Sequence, residues 1–100
     1  MKIFQQVEKE LKEFIERLLP AGKLSVEMVK KWVYEESGAP LEASHKFQDK
    51  FFEYFEKTGA DINEILQIAT DAWNYFPHKT LGGKSPQQIM EEYQKKDGRE

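Results

Sequence analysis

The feature that most constrains the fold of this chain is the spacing of its large apolar residues. They recur at steps of three and four residues in five successive segments, which is the period of an α-helix with one buried face. No segment alternates between apolar and polar residues for long enough to predict a β-strand. Proline and glycine residues separate the segments and would end a helix at each break. The sequence therefore predicts an all-α fold.

Short loops join the five segments, and this places successive helices side by side. A chain of 100 residues can build one hydrophobic core and no second one. We therefore expect a single five-helix domain over residues 1–100, with orthogonal or bundle-like packing. The predicted helices span residues 2–19, 25–37, 41–58, 62–76 and 86–95. The predicted core contains eight large side chains: Phe14, Leu18, Trp32, Phe51, Phe55, Leu66, Trp73 and Leu81.

Three of the predicted helices begin at a residue that can cap the first turn. Ser25 is the predicted N-cap of the second helix. Asp61 with Glu64, and Ser85 with Gln88, follow the capping-box pattern, in which each side chain bonds the backbone N–H of the other residue. These local signals predict where the second, fourth and fifth helices start.

The chain offers little of the chemistry that an enzyme needs. It has no cysteine, which excludes disulfides, thiolate nucleophiles and cysteine-ligated metal sites from it. Ser85 lies near His78 in sequence, but its capping role already explains the serine. His45 and Asp49 share a helical face, but two ligands do not make a metal site. We therefore predict a protein that is not an enzyme, with no catalytic residue, metal or cofactor.

Charge and hydropathy bear on partners and location. The chain holds 15 lysine and arginine residues against 18 acids, a net charge of −3. Proteins held to nucleic acid by bulk electrostatics are usually basic, so this balance disfavours nucleic acid as the partner. No apolar run approaches the roughly 20 residues of a membrane span, and residues 1–20 are too often charged for a signal peptide. We expect a cytoplasmic protein whose partner is another protein and which binds no membrane.

DNA binding remains the alternative function. The second helix, the turn at Gly38 and the third helix have the outline of a helix-turn-helix, although an ordinary αα-hairpin explains the same pattern. Residues 23–57 hold six lysines and seven acids, which is a weak basis for a groove-binding surface. The residues that would face DNA are Ser44, His45, Lys46, Gln48 and Lys50.

Residues 73–86, with the sequence WNYFPHKTLGGKSP, form the most pattern-like stretch of the chain. This stretch resembles the C-terminal toxin-binding domain of the Xre/ParS class of antitoxins. Tails of that class carry a tryptophan, a proline four residues later, a leucine, two glycines and a Ser/Thr-Pro helix start. The matching residues here are Trp73, Pro77, Leu81, Gly82, Gly83, Ser85 and Pro86. The resemblance implies the partner-binding part of a regulatory pair.

The same stretch is also similar to the tail motif of DDE-type transposases and integrases. That tail has an asparagine followed by Pro-His, Leu-Gly and Thr-Pro. The residues that echo it here are Asn74, Pro77, His78, Leu81, Gly82 and Pro86. This similarity implies an accessory protein of a mobile element. The physics of turns and caps explains these residues without ancestry, because a proline ends one helix, glycines permit the turn and Ser85 starts the next helix.

We predict a small, non-catalytic protein-interaction module whose docking surface lies at the loop from Pro77 to Lys84. The polar residues at its tip, His78, Lys79 and Thr80, are predicted to face water, with aromatic rings beside them as a docking surface. In the alternative interpretation, these rings simply complete the core. The predicted interaction surface consists of Tyr75, Pro77, His78, Lys79, Thr80 and Tyr93, and Phe76 is expected to join its aromatic patch.

Overall fold

The computed structural model describes residues 3–36 and 38–97 of the chain. Within them the protein forms five α-helices and a single-turn 3₁₀ helix, and the closest approach to a strand is one isolated bridge between His78 and Lys84. The helices are α1 (Phe4–Leu18), α2 (Val26–Glu35), α3 (Pro40–Phe55), α4 (Ile62–Tyr75) and α5 (Pro86–Asp97), and the 3₁₀ helix spans Lys79–Leu81. The all-α prediction is confirmed. The predicted start at residue 2 and the predicted end at residue 37 lie outside the described residues.

Helix α3 ends three residues before the predicted position. The Thr58 hydroxyl donates to the Phe55 carbonyl oxygen at 2.7 Å, and the Thr58 backbone N–H reaches the same oxygen. This side-chain bond competes with continued helical bonding, as threonine does near helix ends. Gly59 then adopts a left-handed φ of 81°, which completes the exit from the helix.

Two of the three predicted caps form as expected. The Ser25 hydroxyl oxygen accepts from the Met28 backbone N–H. At the start of α5, Ser85 and Gln88 make both bonds of the capping box, at 3.1 Å and 2.8 Å. These caps are set by residues three apart, so the local sequence determines them.

The third predicted capping box forms only in part. Asp61 Oδ1 accepts from the Asn63 backbone N–H at 2.9 Å, so Asp61 caps α4. The Glu64 carboxylate does not return to Asp61 but accepts from the Arg17 guanidinium at 2.7 Å. The prediction that Glu64 completes a capping box was wrong. Arg17 on α1, 47 residues away, offers Glu64 a charge-assisted hydrogen bond, which is stronger than a bond to a backbone amide.

The core forms around α4, which packs against each of the other four α-helices. Phenylalanine rings dominate it: Phe55 stacks against Phe14 and Phe51 with ring centroids 4.8 Å apart in each pair. Tilted pairs of this kind add a geometric preference to the burial of apolar area. On α4 the small residues Ala69 and Ala72 are fully buried, which lets neighbouring helices approach closely.

The predicted core was right for its phenylalanines and wrong at its edges. Phe14, Phe51 and Phe55 are buried. Leu66 is 37% exposed because the inward stripe of α4 passes through Ile65 and its helical neighbours, one position away. The other four predicted core residues are only partly buried: Leu18, Trp32, Trp73 and Leu81.

Candidate functional site

An open apolar groove of about 720 Å³ runs beside α5. We call it the α5 groove. One wall is α5, which contributes Pro86, Ile89, Met90, Tyr93 and Gln94. The other parts come from the end of α2, the start of α3, the end of α4 and the 3₁₀ turn, which contribute Glu36, Gly38, Ala43, Trp73, His78, Thr80 and Leu81.

The α5 wall is a helix face that the described residues leave open. Its residues follow the steps of three and four that place side chains on one face of a helix. Two of them are large apolar side chains with high exposure: Met90 is 54% exposed and Tyr93 is 69% exposed. Helix α5 packs mainly against α4, so within the described part of the chain no further helix covers this face.

Trp73 and His78 form the floor of the groove. The His78 ring meets the Trp73 ring edge-on, with centroids 4.4 Å apart and planes at 88°. His78 Nε2 lies 2.7 Å from the Trp73 carbonyl oxygen, and because a carbonyl only accepts, this nitrogen carries a hydrogen. On its other side Trp73 packs on Phe47, at 5.6 Å between ring centroids.

The prediction that His78 faces water was wrong, since its exposure is 3%. Its backbone explains the difference. The His78 N–H donates to the Lys84 carbonyl, and the His78 carbonyl accepts from the N–H groups of Leu81 and Gly83. These bonds close residues 78–84 into a turn that directs the imidazole inward.

Burial sets the protonation of this histidine. Loss of solvent lowers the pKa of His78 below 6.5, and the hydrogen bond to the Trp73 carbonyl opposes this shift without cancelling it. The imidazole is therefore mostly neutral near pH 7, with its hydrogen on Nε2. Through this hydrogen bond the neutral imidazole joins the turn to the end of α4.

The turn itself follows the sequence signals closely. Gly82 and Gly83 have φ values of 68° and 84°, a left-handed region that favours glycine. Lys79 is exposed, and Thr80 is exposed at the rim of the groove. Leu81 is half-buried and lines the groove, so it forms a wall rather than the core anchor that was predicted.

The predicted interaction surface is divided between two places. Tyr93, Thr80 and His78 line the α5 groove. Tyr75 and Pro77 line a second cavity of about 420 Å³ beside the start of α1. Phe76, which was expected to join these rings, is fully buried and packs edge-on against Phe4 at 5.5 Å. The expected aromatic patch is therefore not one surface.

The wall opposite α5 carries negative charge. Glu36, which follows α2, is half-buried in the lining. Glu42 lies close by, with Oε1 3.8 Å from the position that a Cβ on Gly38 would take. Neither carboxylate forms a salt bridge with another residue of the described ranges 3–36 and 38–97. Among the lining residues that the structure describes there is no lysine or arginine.

The sequence indicates the apolar face of α5 but not the residues that surround it. The spacing of Ile89, Met90 and Tyr93 indicates an apolar face, and the residues beside it in the groove include Glu36 and Gly38 from the distant α2–α3 turn. No local pattern links residues about 50 positions apart. One sequence feature could have predicted the groove: the apolar face of the fifth helix is longer than a single neighbouring helix can cover.

The candidate DNA-facing residues lie on α3 and do not form a purely basic surface. His45, Lys46 and Lys50 are exposed, whereas Ser44 and Gln48 are half-buried. The Lys50 ammonium sits 5.4 Å from the Trp32 ring centroid, in cation–π geometry. Exposed acids at 42, 49 and 53 share the helix with these cations. DNA binding stays a prediction.

The candidate catalytic groups Ser85 and His78 have other hydrogen-bond partners. Among the described residues no third ligand joins His45 and Asp49. Ser85 is buried, and its hydroxyl oxygen accepts from the Gln88 N–H, while His78 bonds the Trp73 carbonyl. Over the residues that the structure describes, no three or more histidine, aspartate and glutamate side chains come together as metal ligands would. The described helices also include none that is long and apolar enough to cross a membrane.

Comparison with protein-family models, with curated proteins and with solved structures finds no significant match for this chain. The α5 groove is therefore the feature of the structure that best supports a function.

Proposed function

We propose that the protein is a small, non-catalytic interaction module of the cytoplasm, and that the α5 groove receives the apolar face of an amphipathic helix from another protein. One observation carries the proposal: Met90 and Tyr93 stand largely exposed on the wall of a 720 Å³ apolar groove. Neighbouring large apolar groups in a concave site mark interaction surfaces, because covering them releases water. Tyrosine is also enriched among the residues that dominate binding energy.

A helix is the occupant that this groove suits best. The groove lies between helices, where a further helix could pack its ridges against the face of α5. From Pro86 to Gln94 that face runs about 12 Å, roughly two turns of a partner helix. The described residues form no β-strand whose edge could pair with an extended peptide.

A narrower form of the proposal concerns the kind of partner. Trp73, Leu81 and Pro86 belong both to the antitoxin-like stretch and to the lining of the groove. The same residues would then serve the fold of the turn and the contact with a partner. We therefore propose a partner within a regulatory pair, as the resemblance implies.

The test uses a charged substitution in the groove and a matched one outside it. Met90→Glu places a carboxylate in the groove, whereas Ile62→Glu changes an apolar residue of similar exposure, 58%, at the start of α4. Both positions are exposed, so we expect each variant to keep its thermal stability within about 0.5 kcal/mol. Each protein is used to capture partners from cells that contain the chain natively, and captured proteins are then purified and their affinities measured.

The proposal expects one protein to bind the wild type and Ile62→Glu alike and to bind Met90→Glu at least about ten-fold more weakly. Equal affinity of that protein for Met90→Glu would contradict a role for the groove. A capture in which wild type and Met90→Glu retain the same set of proteins would do so as well.

A further inference from the structure

The two walls of the α5 groove differ in charge. The lining residues of the α5 wall whose side chains the structure describes carry no charge near neutral pH, since they are proline, isoleucine, methionine, tyrosine and glutamine. The opposite wall holds Glu36 among apolar groups, with Glu42 beside the same turn. His78 in the floor is buried with a lowered pKa, so it supplies no compensating positive charge near pH 7.

Glu36 forms no salt bridge with a cation among the described side chains, which is also true of exposed acids such as Glu42 and Glu53. Other carboxylates that join elements are paired: Glu8 with Lys30, Glu64 with Arg17 and Glu92 with Lys84. Glu36 is also half-buried, so it already has less water around it than an acid on an open helix face.

A helix that covered the groove would remove more water from Glu36. An ionised carboxylate that loses water without gaining a partner opposes binding, whereas one that gains a cation favours it. A partner with an acid at this position would be rejected by repulsion as well as desolvation. The carboxylate therefore acts as a selective element in a surface that is otherwise apolar.

Resting on the proposed function, we infer that the partner helix is basic along one flank, and that a lysine or arginine at the edge of its apolar face pairs with Glu36. The apolar face lies on Met90 and Tyr93, and the basic flank lies toward the wall formed by α2 and α3. Apolar contact supplies most of the affinity, and the charge pair decides which helices are accepted.

The experiment uses a displayed library of helix-forming peptides of about 16 residues, roughly four turns, with randomised side chains on one face and its flanks. Peptides are selected on the wild-type protein after removal of those that bind Met90→Glu. The affinities of the selected peptides are then measured by fluorescence anisotropy for the wild type, Glu36→Gln, Glu36→Lys and Glu13→Lys. Glu13 is exposed on α1 outside the groove, so Glu13→Lys controls for the change in net charge.

The inference expects selected peptides to share a lysine or arginine at one flank of the apolar face. They should bind Glu36→Lys at least about ten-fold more weakly than Glu13→Lys, with Glu36→Gln between the two. Changing the shared basic residue to glutamate should restore binding to Glu36→Lys.

Two other results overturn the inference and separate it from the proposed function. In the first, the selected peptides depend on the groove, show no preference for a basic residue and bind Glu36→Lys as tightly as Glu13→Lys. That result refutes the charge pair but does not contradict the proposed interaction module. Failure to recover any peptide that distinguishes Met90→Glu refutes both. A dimer in sedimentation that Met90→Glu converts to a monomer also overturns both, because a second copy would then cover the groove.

Discussion

The core around α4 and the α5 groove contain the same kinds of side chain in opposite circumstances. Phe47, Phe51 and Phe55 on α3 are fully buried because α4 and neighbouring helices close over them. Met90 and Tyr93 on α5 are apolar at helical spacing too, but most of their surface meets water. Helix α4 has four neighbours, whereas α5 packs mainly against one.

This comparison separates two uses of an amphipathic helix. Where other helices of the chain cover the apolar face, its burial stabilises the fold. Where none does, the same face contributes little to stability and remains available for a partner. Truncations in the core should therefore lower the free energy of unfolding, and truncations in the groove should spare it.

The largest effect is expected from Phe51→Ala. Phe51 is fully buried and stacks with Phe47 and Phe55, so its removal leaves a cavity among aromatic rings. The free energy of unfolding should fall by about 3–5 kcal/mol, measured by urea denaturation. An unchanged urea midpoint would show that these rings do not form the core.

A smaller effect is expected at the start of α5. Ser85→Ala removes the acceptor for the Gln88 N–H at a buried position, and should cost about 1–2 kcal/mol. Asp61→Ala is the matched control, since Asp61 makes a single cap bond at an exposed position and should cost less. A larger loss of unfolding free energy for Asp61→Ala than for Ser85→Ala would contradict the stabilisation of α5 by its buried cap.

The cap and the turn show how much of the site the sequence could predict. Ser85 and Gln88 are three residues apart, and the glycines act within one turn, so local rules suffice for them. Glu64 was assigned to a local partner although Arg17 holds it from another helix. The sequence predicted that His78 is exposed to solvent, because nothing near it in sequence indicates that its ring contacts Trp73.

The positions of the helices were also largely predictable, because they depend on local sequence. The boundaries of the core were not predictable in this way. The period of three and four identifies an apolar stripe, but it does not say which part of the stripe another helix will cover. Leu66 and Leu81 are apolar at reasonable spacing and still lie outside the core. The groove exists because the chain folds the α2–α3 turn opposite α5, which is a property of the whole topology.

His78 should make the free energy of unfolding depend on pH, by less than the loss expected from truncating a core ring. Its pKa in the folded protein is below the ordinary 6.5, so as pH falls from 7 the unfolded chain takes up a proton before the folded protein does. Protonation therefore favours unfolding, and the contribution of His78 to stability should decrease on acidification.

The measurement compares unfolding free energies of the wild type and His78→Gln between pH 7 and pH 5, a window around the ordinary histidine pKa of about 6.5. The advantage of the wild type should narrow as pH falls. A constant or growing advantage would mean that the buried imidazole is not held neutral.

The smallest effect on stability is expected from Tyr93→Ser. Most of this side chain already meets water, so the free energy of unfolding should change by no more than about 0.5 kcal/mol. Thermal and urea unfolding of this variant beside Phe51→Ala measure the contrast directly. A loss comparable to that of a core phenylalanine would erase the distinction between core and groove.

The central claim is that the α5 groove binds a helix and the core only supports it. The most direct test measures the affinity of one groove-selected peptide for two folded variants, Tyr93→Ser in the groove and Ile68→Val in the core. Ile68 is buried on α4, and its conservative truncation should lower stability by about 0.5–1.5 kcal/mol without altering the groove. We predict that Tyr93→Ser weakens binding at least about ten-fold while Ile68→Val leaves it unchanged. Unchanged affinity for Tyr93→Ser would contradict the account.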